Sequence, residues 1–178
     1  MTIPNMLSLA RLCVVPLVPL VYFSAMANAN IWAAVIYMAA SLTDVLDGYI
    51  ARKYNLITQL GRVLDPLADK LMTFCVLVCL IINRQIPFWA GVVFFVKEAL
   101  TAFGSLVLYK KRNDVLPSNM LGKISATVFF SVCVVIMACG DFIPEDARLI
   151  MIGGALALNI IAFLLYIGRY IQNIKKKR

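Results

Sequence analysis

From Asp44 to Asp69 the chain reads Asp-Val-Leu-Asp-Gly-Tyr-Ile-Ala-Arg, eight further residues, then Gly-Arg-Val-Leu-Asp-Pro-Leu-Ala-Asp. Four of its nine acidic residues fall within these 26 positions, between long apolar runs where a carboxylate is costly. On a helix, Asp44, Asp47, Gly48 and Ala51 share an arc of about 100°. Gly61, Asp65 and Asp69 follow at i+4, again on one face. Each of two helices thus presents two carboxylates beside a residue with little or no side chain. The stretch from Arg52 to Gly61 is long enough to turn the chain back so that the two stripes face each other.

Four facing carboxylates repel one another and stay ionised together only if a cation neutralises them or one keeps a proton. All the ligands are oxygen and the chain has no His, which favours Mg²⁺, Mn²⁺ or Ca²⁺ over Zn²⁺. Two metal ions on four carboxylates suit an in-line displacement at phosphorus. Gly48, Ala51 and Gly61 leave room for a ligand against bare backbone, and Arg52 at the rim suits phosphate oxygens. Two other readings of the same residues stand beside this one. The aspartates serve as steps in a proton or cation pathway, or pair structurally with Arg52, Arg62 and Lys70.

The pattern Asp-x2-Asp-Gly-x2-Ala-Arg-x8-Gly-x3-Asp-x3-Asp resembles the signature of the CDP-alcohol phosphatidyltransferases. Asp44, Asp47, Gly48, Ala51, Arg52, Gly61, Asp65 and Asp69 fill each fixed position. The resemblance implies CDP-diacylglycerol as donor, CMP as leaving group and a dependence on Mg²⁺ or Mn²⁺, with two ions expected. It implies Asp44, Asp47 and Asp65 as metal ligands, with Asp69 as the base that also touches the second ion. Gly48, Ala51, Arg52 and Gly61 become the CDP-binding surface, with Thr43 and Asn5 as further polar contacts. A carrier has no need of Gly48, Ala51 and Arg52 in fixed register with two Asp pairs, so release of CMP separates the two classes.

The elements that must position these residues are membrane helices. Of 178 residues 62% are hydrophobic and 15% charged, too apolar for a soluble domain of this size. The expected fold is all-α: a single membrane domain over 1–178 with six transmembrane helices. A short interfacial helix over 1–8 precedes a first span over 9–26, which Pro16 and Pro19 should bend. Further spans are expected over 31–50, 64–82, 88–109, 118–138 and 147–167, with Pro66 in the first turn of the third. The N-terminus lacks the basic start and small-residue cleavage site of a signal peptide, so none is expected.

Six spans put both termini on one side. The loops and tail there carry Arg52, Lys53, Arg62, Lys110, Lys111, Arg112, Arg169 and Lys175 to Arg178, against Arg84 and Arg148 opposite. Both termini and the aspartates are therefore expected at the cytoplasmic face of the cell inner or plasma membrane. The net charge of +8 reads as attraction to anionic lipid heads, with no nucleic-acid partner. Cys13, Cys75, Cys79, Cys133 and Cys139 complete no zinc pattern and read mostly as core packing.

Lys97, Lys123 and Arg169 are the expected binding residues for the acceptor's phosphate. The opening Ile3-Pro4-Asn5 to Arg11 and the run Leu64 to Lys70 resemble phosphatidylglycerophosphate synthases, whose acceptor is glycerol 3-phosphate. Two positions depart from that subgroup: Ser125 stands where a second Lys is frequent, and Lys97 where Arg is common. Cardiolipin synthesis from phosphatidylglycerol and inositol-phosphate transfer stay open as alternatives. Family members are typically homodimers, so a homodimer is expected here.

Overall fold

The computed structural model describes residues 3–53, 59–112 and 120–176, with side chains at 9–43, 67–102, 104 and 120–168. The described elements are helical throughout: α1 (Ile3–Val14), α2 (Leu17–Tyr22), α3 (Ala29–Lys53), α4 (Gln59–Ile82), α5 (Phe88–Arg112), α6 (Met120–Cys139), a 3-10 turn at Gly140–Phe142 and α7 (Glu145–Lys176). Met120–Phe142 and Glu145–Gly168 are each long and apolar enough to cross a membrane, and Leu9–Tyr22 and Ala29–Thr43 are shorter apolar stretches. Large apolar side chains such as Leu20, Leu42, Phe88, Ile150 and Leu164 lie exposed, an exterior that suits lipid rather than water.

The helices group into two compact units, Met1–Gln85 with Cys133–Ile143, and Ile86–Val132 with Pro144–Arg178. In the first unit α1 and α2 pack on α3 and α4, which also contact each other. α1 runs unbroken from Ile3 to Val14, so the segment expected along the surface and the start of the first apolar run form one helix. The bend expected from the prolines is a break between Val14 and Leu17, at Pro16. Val15 lies in this break, and the Cys75 thiol of α4 stands 3.6 Å from its carbonyl oxygen as donor. Cys79 and Cys133 are buried, in keeping with packing roles, and Cys75 is half-buried, whereas Cys13 and Cys139 are exposed and do not belong to the core.

α3 turns Ala33, Ala34, Tyr37 and Ala40 inward, and α4 turns Ala68, Met72, Val76 and Leu80 inward. The small residues on α3 let the helices approach closely. α4 starts at Gln59, earlier than the hydropathy suggests, so Pro66 lies in the helix interior and not in its first turn. It cannot donate to the Arg62 carbonyl, and the helix continues past it.

α4 ends in a Schellman arrangement. Gln85 N–H bonds the Leu80 carbonyl at 2.8 Å, Arg84 N–H bonds that of Ile81 at 3.0 Å, and Arg84 is left-handed with φ 55°. Three polar contacts gather at this end of the unit. Asn83 Nδ2 donates to the Tyr22 hydroxyl at 2.9 Å, Asn30 Nδ2 to the Ala138 carbonyl at 3.0 Å, and buried Gln85 donates through Nε2 to Asp141 Oδ1 at 2.6 Å.

In the second unit α5 packs on α7. Phe94 of α5 stacks on Phe129 of α6 with centroids 4.4 Å apart and planes 9° from parallel. α7 spans 32 residues where a span ending at 167 was expected. No proline stops it after Gly168, and Lys and Gln are good helix formers, so it runs into the basic tail. Its length of about 48 Å exceeds a hydrocarbon core of about 30 Å.

Candidate functional site

The aspartate motif divides between the ends of α3 and α4 that adjoin the 54–58 connection. Asp44, Asp47, Gly48, Ala51 and Arg52 belong to α3, and Gly61, Asp65 and Asp69 to α4. These helices belong to one unit and contact each other. Continued by helical register, the inward stripe Ala33–Tyr37–Ala40 passes through positions 44, 47 and 51. On α4 the stripe Ala68–Met72–Val76 runs back through 65 and 61. The backbone therefore sets the motif positions on the continuation of two inward faces. The side chains of Asp44, Asp47, Gly48, Ala51, Arg52, Gly61 and Asp65 lie outside the described residues, as does Asn5.

Asp69 is described. It is exposed, at the edge of the inward stripe of α4. One turn on, Thr73 Oγ1 donates to the Asp69 carbonyl at 3.0 Å. Buried Tyr37 of α3 lies close to Thr73, a neighbour of the motif that sequence reading missed. The signal was a Tyr at the same helical phase as Asp44. Thr43, expected as a polar contact, donates its hydroxyl to the Ala39 carbonyl of its own helix at 2.8 Å. Among the described residues no three His, Cys, Asp or Glu side chains converge as a metal site.

The basic residues expected to hold the acceptor belong to the second unit. Lys97 is half-buried on α5 and its Nζ meets Glu98 Oε1 at 2.5 Å and Asn159 Oδ1 at 3.2 Å. The same ammonium stands 5.9 Å from the centre of the Phe94 ring. Lys123 is exposed in the first turn of α6. Arg169 lies on α7 with its side chain outside the described residues. Ser125, which departs from the expected Lys, is 2% exposed, its Oγ donating to the Gly122 carbonyl at 3.0 Å. A Lys at that position would have to leave a buried site.

Asn159 is a second residue that sequence reading passed over. It sits 3% exposed in the middle of α7, hydrogen-bonded to α5, α6 and its own helix. An isolated amide in the run Leu156 to Ala162 is the signal that could have found it, since a polar group in such a run needs partners.

The family model of the CDP-alcohol phosphatidyltransferases matches residues 1–166. Over 79 residues the chain is 44% identical to a CDP-diacylglycerol–glycerol-3-phosphate 3-phosphatidyltransferase of Rickettsia bellii, a match covering 44% of each protein. The chain thus spans under half the length of that relative. A protein of the same name from Wigglesworthia glossinidia brevipalpis is 30% identical over 171 residues, 92% of this chain and 90% of that one. A protein named putative cardiolipin synthase, from Mycobacterium bovis, is 34% identical over 132 residues, 74% of this chain and 62% of its own length.

Proposed function

The chain belongs to the CDP-alcohol phosphatidyltransferase family, and we propose that it transfers a phosphatidyl group from CDP-diacylglycerol to glycerol 3-phosphate, releasing CMP and forming phosphatidylglycerophosphate. The observation that carries this reading is the eight-residue motif, borne on consecutive helices α3 and α4 that contact each other within one unit. The name of the Wigglesworthia relative, matched over nearly its whole length, supports the acceptor.

In this reading the acceptor hydroxyl attacks the phosphorus that carries diacylglycerol. The bond from that phosphorus to the CMP oxygen breaks, and CMP departs with the electron pair. Asp69 accepts the hydroxyl proton, a role that fits its exposed position on α4. Arg52 holds phosphate oxygens, and Gly48, Ala51 and Gly61 leave space for the cytidine part. The donor set fits a hard divalent cation: carboxylates Asp44, Asp47, Asp65 and Asp69 on two contacting helices, with no His in the chain. Mg²⁺ or Mn²⁺ held by them would neutralise the pyrophosphate and the charge that develops on it. Lys97, Lys123 and Arg169 bind the acceptor's phosphate.

The chain is a membrane protein. We assign six crossings, with α1 and α2 together as the first and α3 to α7 as the rest. The positive-inside rule then puts both termini and the aspartate motif at the cytoplasmic face. There, water-borne reactants and a bilayer lipid can meet. A homodimer completes the reading.

The test is CMP release from CDP-diacylglycerol with a panel of acceptors. Turnover with glycerol 3-phosphate and none with phosphatidylglycerol or inositol phosphate is the expected result. Turnover only with phosphatidylglycerol would establish cardiolipin synthesis instead, the second reading, which the Ser125 departure and the Mycobacterium relative favour. No CMP release with any acceptor would return the aspartates to an ion or proton pathway.

A further inference from the structure

Asn159 has an orientation that chemistry dictates. Its Nδ2 donates to the Ser125 carbonyl of α6 at 3.0 Å and to the Ala155 carbonyl of α7 at 3.1 Å. Carbonyls only accept, so both amide hydrogens are committed there and the amide cannot be flipped. Oδ1 is therefore the end presented to α5, where it accepts from Lys97 Nζ at 3.2 Å.

Lys97 needs such a partner. Its side chain has four rotatable bonds, and Glu98, the next residue on the helix, points about 100° away around the axis. Glu98 draws the ammonium sideways along α5, Asn159 holds it from α7, and the Phe94 ring lies 5.9 Å beneath it. Phe94 is in turn fixed by its stack on Phe129. Groups from α5 and α7 thus meet at one cation, and Asn159 is the group that also bonds α6.

We propose that Asn159 is a positioning residue that sets the place of the Lys97 ammonium, and through it the affinity for the acceptor's phosphate. The inference rests on the reading above that Lys97 binds that phosphate. Asn159 itself touches no substrate.

The test is a double-mutant cycle in the full-length protein, with KM read separately for glycerol 3-phosphate and CDP-diacylglycerol. Asn159→Leu keeps the branched shape and removes the amide. It should raise the acceptor KM by about fivefold or more and leave the donor KM within about twofold. In a Lys97→Met background the same substitution should change the acceptor KM by less than about twofold, because the group it acts through is gone. A raised acceptor KM in Lys97→Met with none in Asn159→Leu overturns the inference alone. An unchanged acceptor KM in Lys97→Met overturns the assignment of Lys97, and the inference with it. Equal rises in both KM values, additive with Lys97→Met, would mark Asn159 as a structural bolt between helices and also overturn it. Should Asn159→Leu not accumulate in the membrane, Asn159→Ser, which is too short to reach Lys97, is read by the same criteria.

Discussion

Gln85 occupies the space that a side chain at position 140 would need. A Cβ at Gly140 would stand 2.3 Å from Gln85 Oε1 and 2.9 Å from its Cδ. The Gln85 side chain is held there by its bond from Nε2 to Asp141 and by its own burial. The turn after α4 and the turn after α6 are therefore fitted to each other through a bare backbone.

This fit predicts that Gly140→Ala lowers stability by roughly 1–3 kcal/mol, because Gln85 must leave its bond to make room. A thermal melt of the detergent-solubilised protein reads it. Gln85→Ala placed in the Gly140→Ala background should lose much less than the sum of the two single changes, since the clash is then gone. Additive losses would show that the contact is not the cause.

Arg84 should tolerate, and gain from, glycine. Its φ of 55° is a left-handed conformation that costs an L-residue roughly 1–2 kcal/mol. Glycine removes that strain but makes the unfolded chain more flexible, which offsets part of the gain. Arg84→Gly is expected to be neutral to about 1 kcal/mol more stable, whereas Arg84→Val should be less stable than either. Melting temperatures of the three proteins in one detergent decide it.

Removing one carboxylate from the motif should abolish turnover without unfolding the protein. Asp65→Asn is expected to release no CMP while still inserting in the membrane, and the unaltered enzyme should lose activity when stripped of metal and regain it with Mg²⁺ or Mn²⁺. Full activity in excess chelator after metal stripping would remove the cation from the reading.

Lys123 is exposed in the first turn of α6. Lys123→Met should raise the KM for glycerol 3-phosphate about tenfold and change that for CDP-diacylglycerol little, which is the mark of lost acceptor binding. An unchanged acceptor KM would take Lys123 out of the site.

The amino-acid sequence by itself determined the family. Eight residues from Asp44 to Asp69 identify the family, because two helices can present carboxylates and bare backbone together only at i+3 and i+4 spacings. It also determined where helices form, since apolar runs of this length suit membrane helices and are too long for the strands of a barrel. Helix ends were less legible. Hydropathy marks where a helix leaves the apolar layer, not where its hydrogen bonds stop, so α4 began at Gln59 and α7 continued to Lys176. Only the tertiary structure decided the partners of the isolated polar groups. Cys75 lies 60 residues from the Val15 carbonyl it faces, and Asn159 lies 62 residues from Lys97. Nothing local marks such pairs, because a polar group in an apolar run declares that it needs a partner while helix packing alone chooses which one it gets.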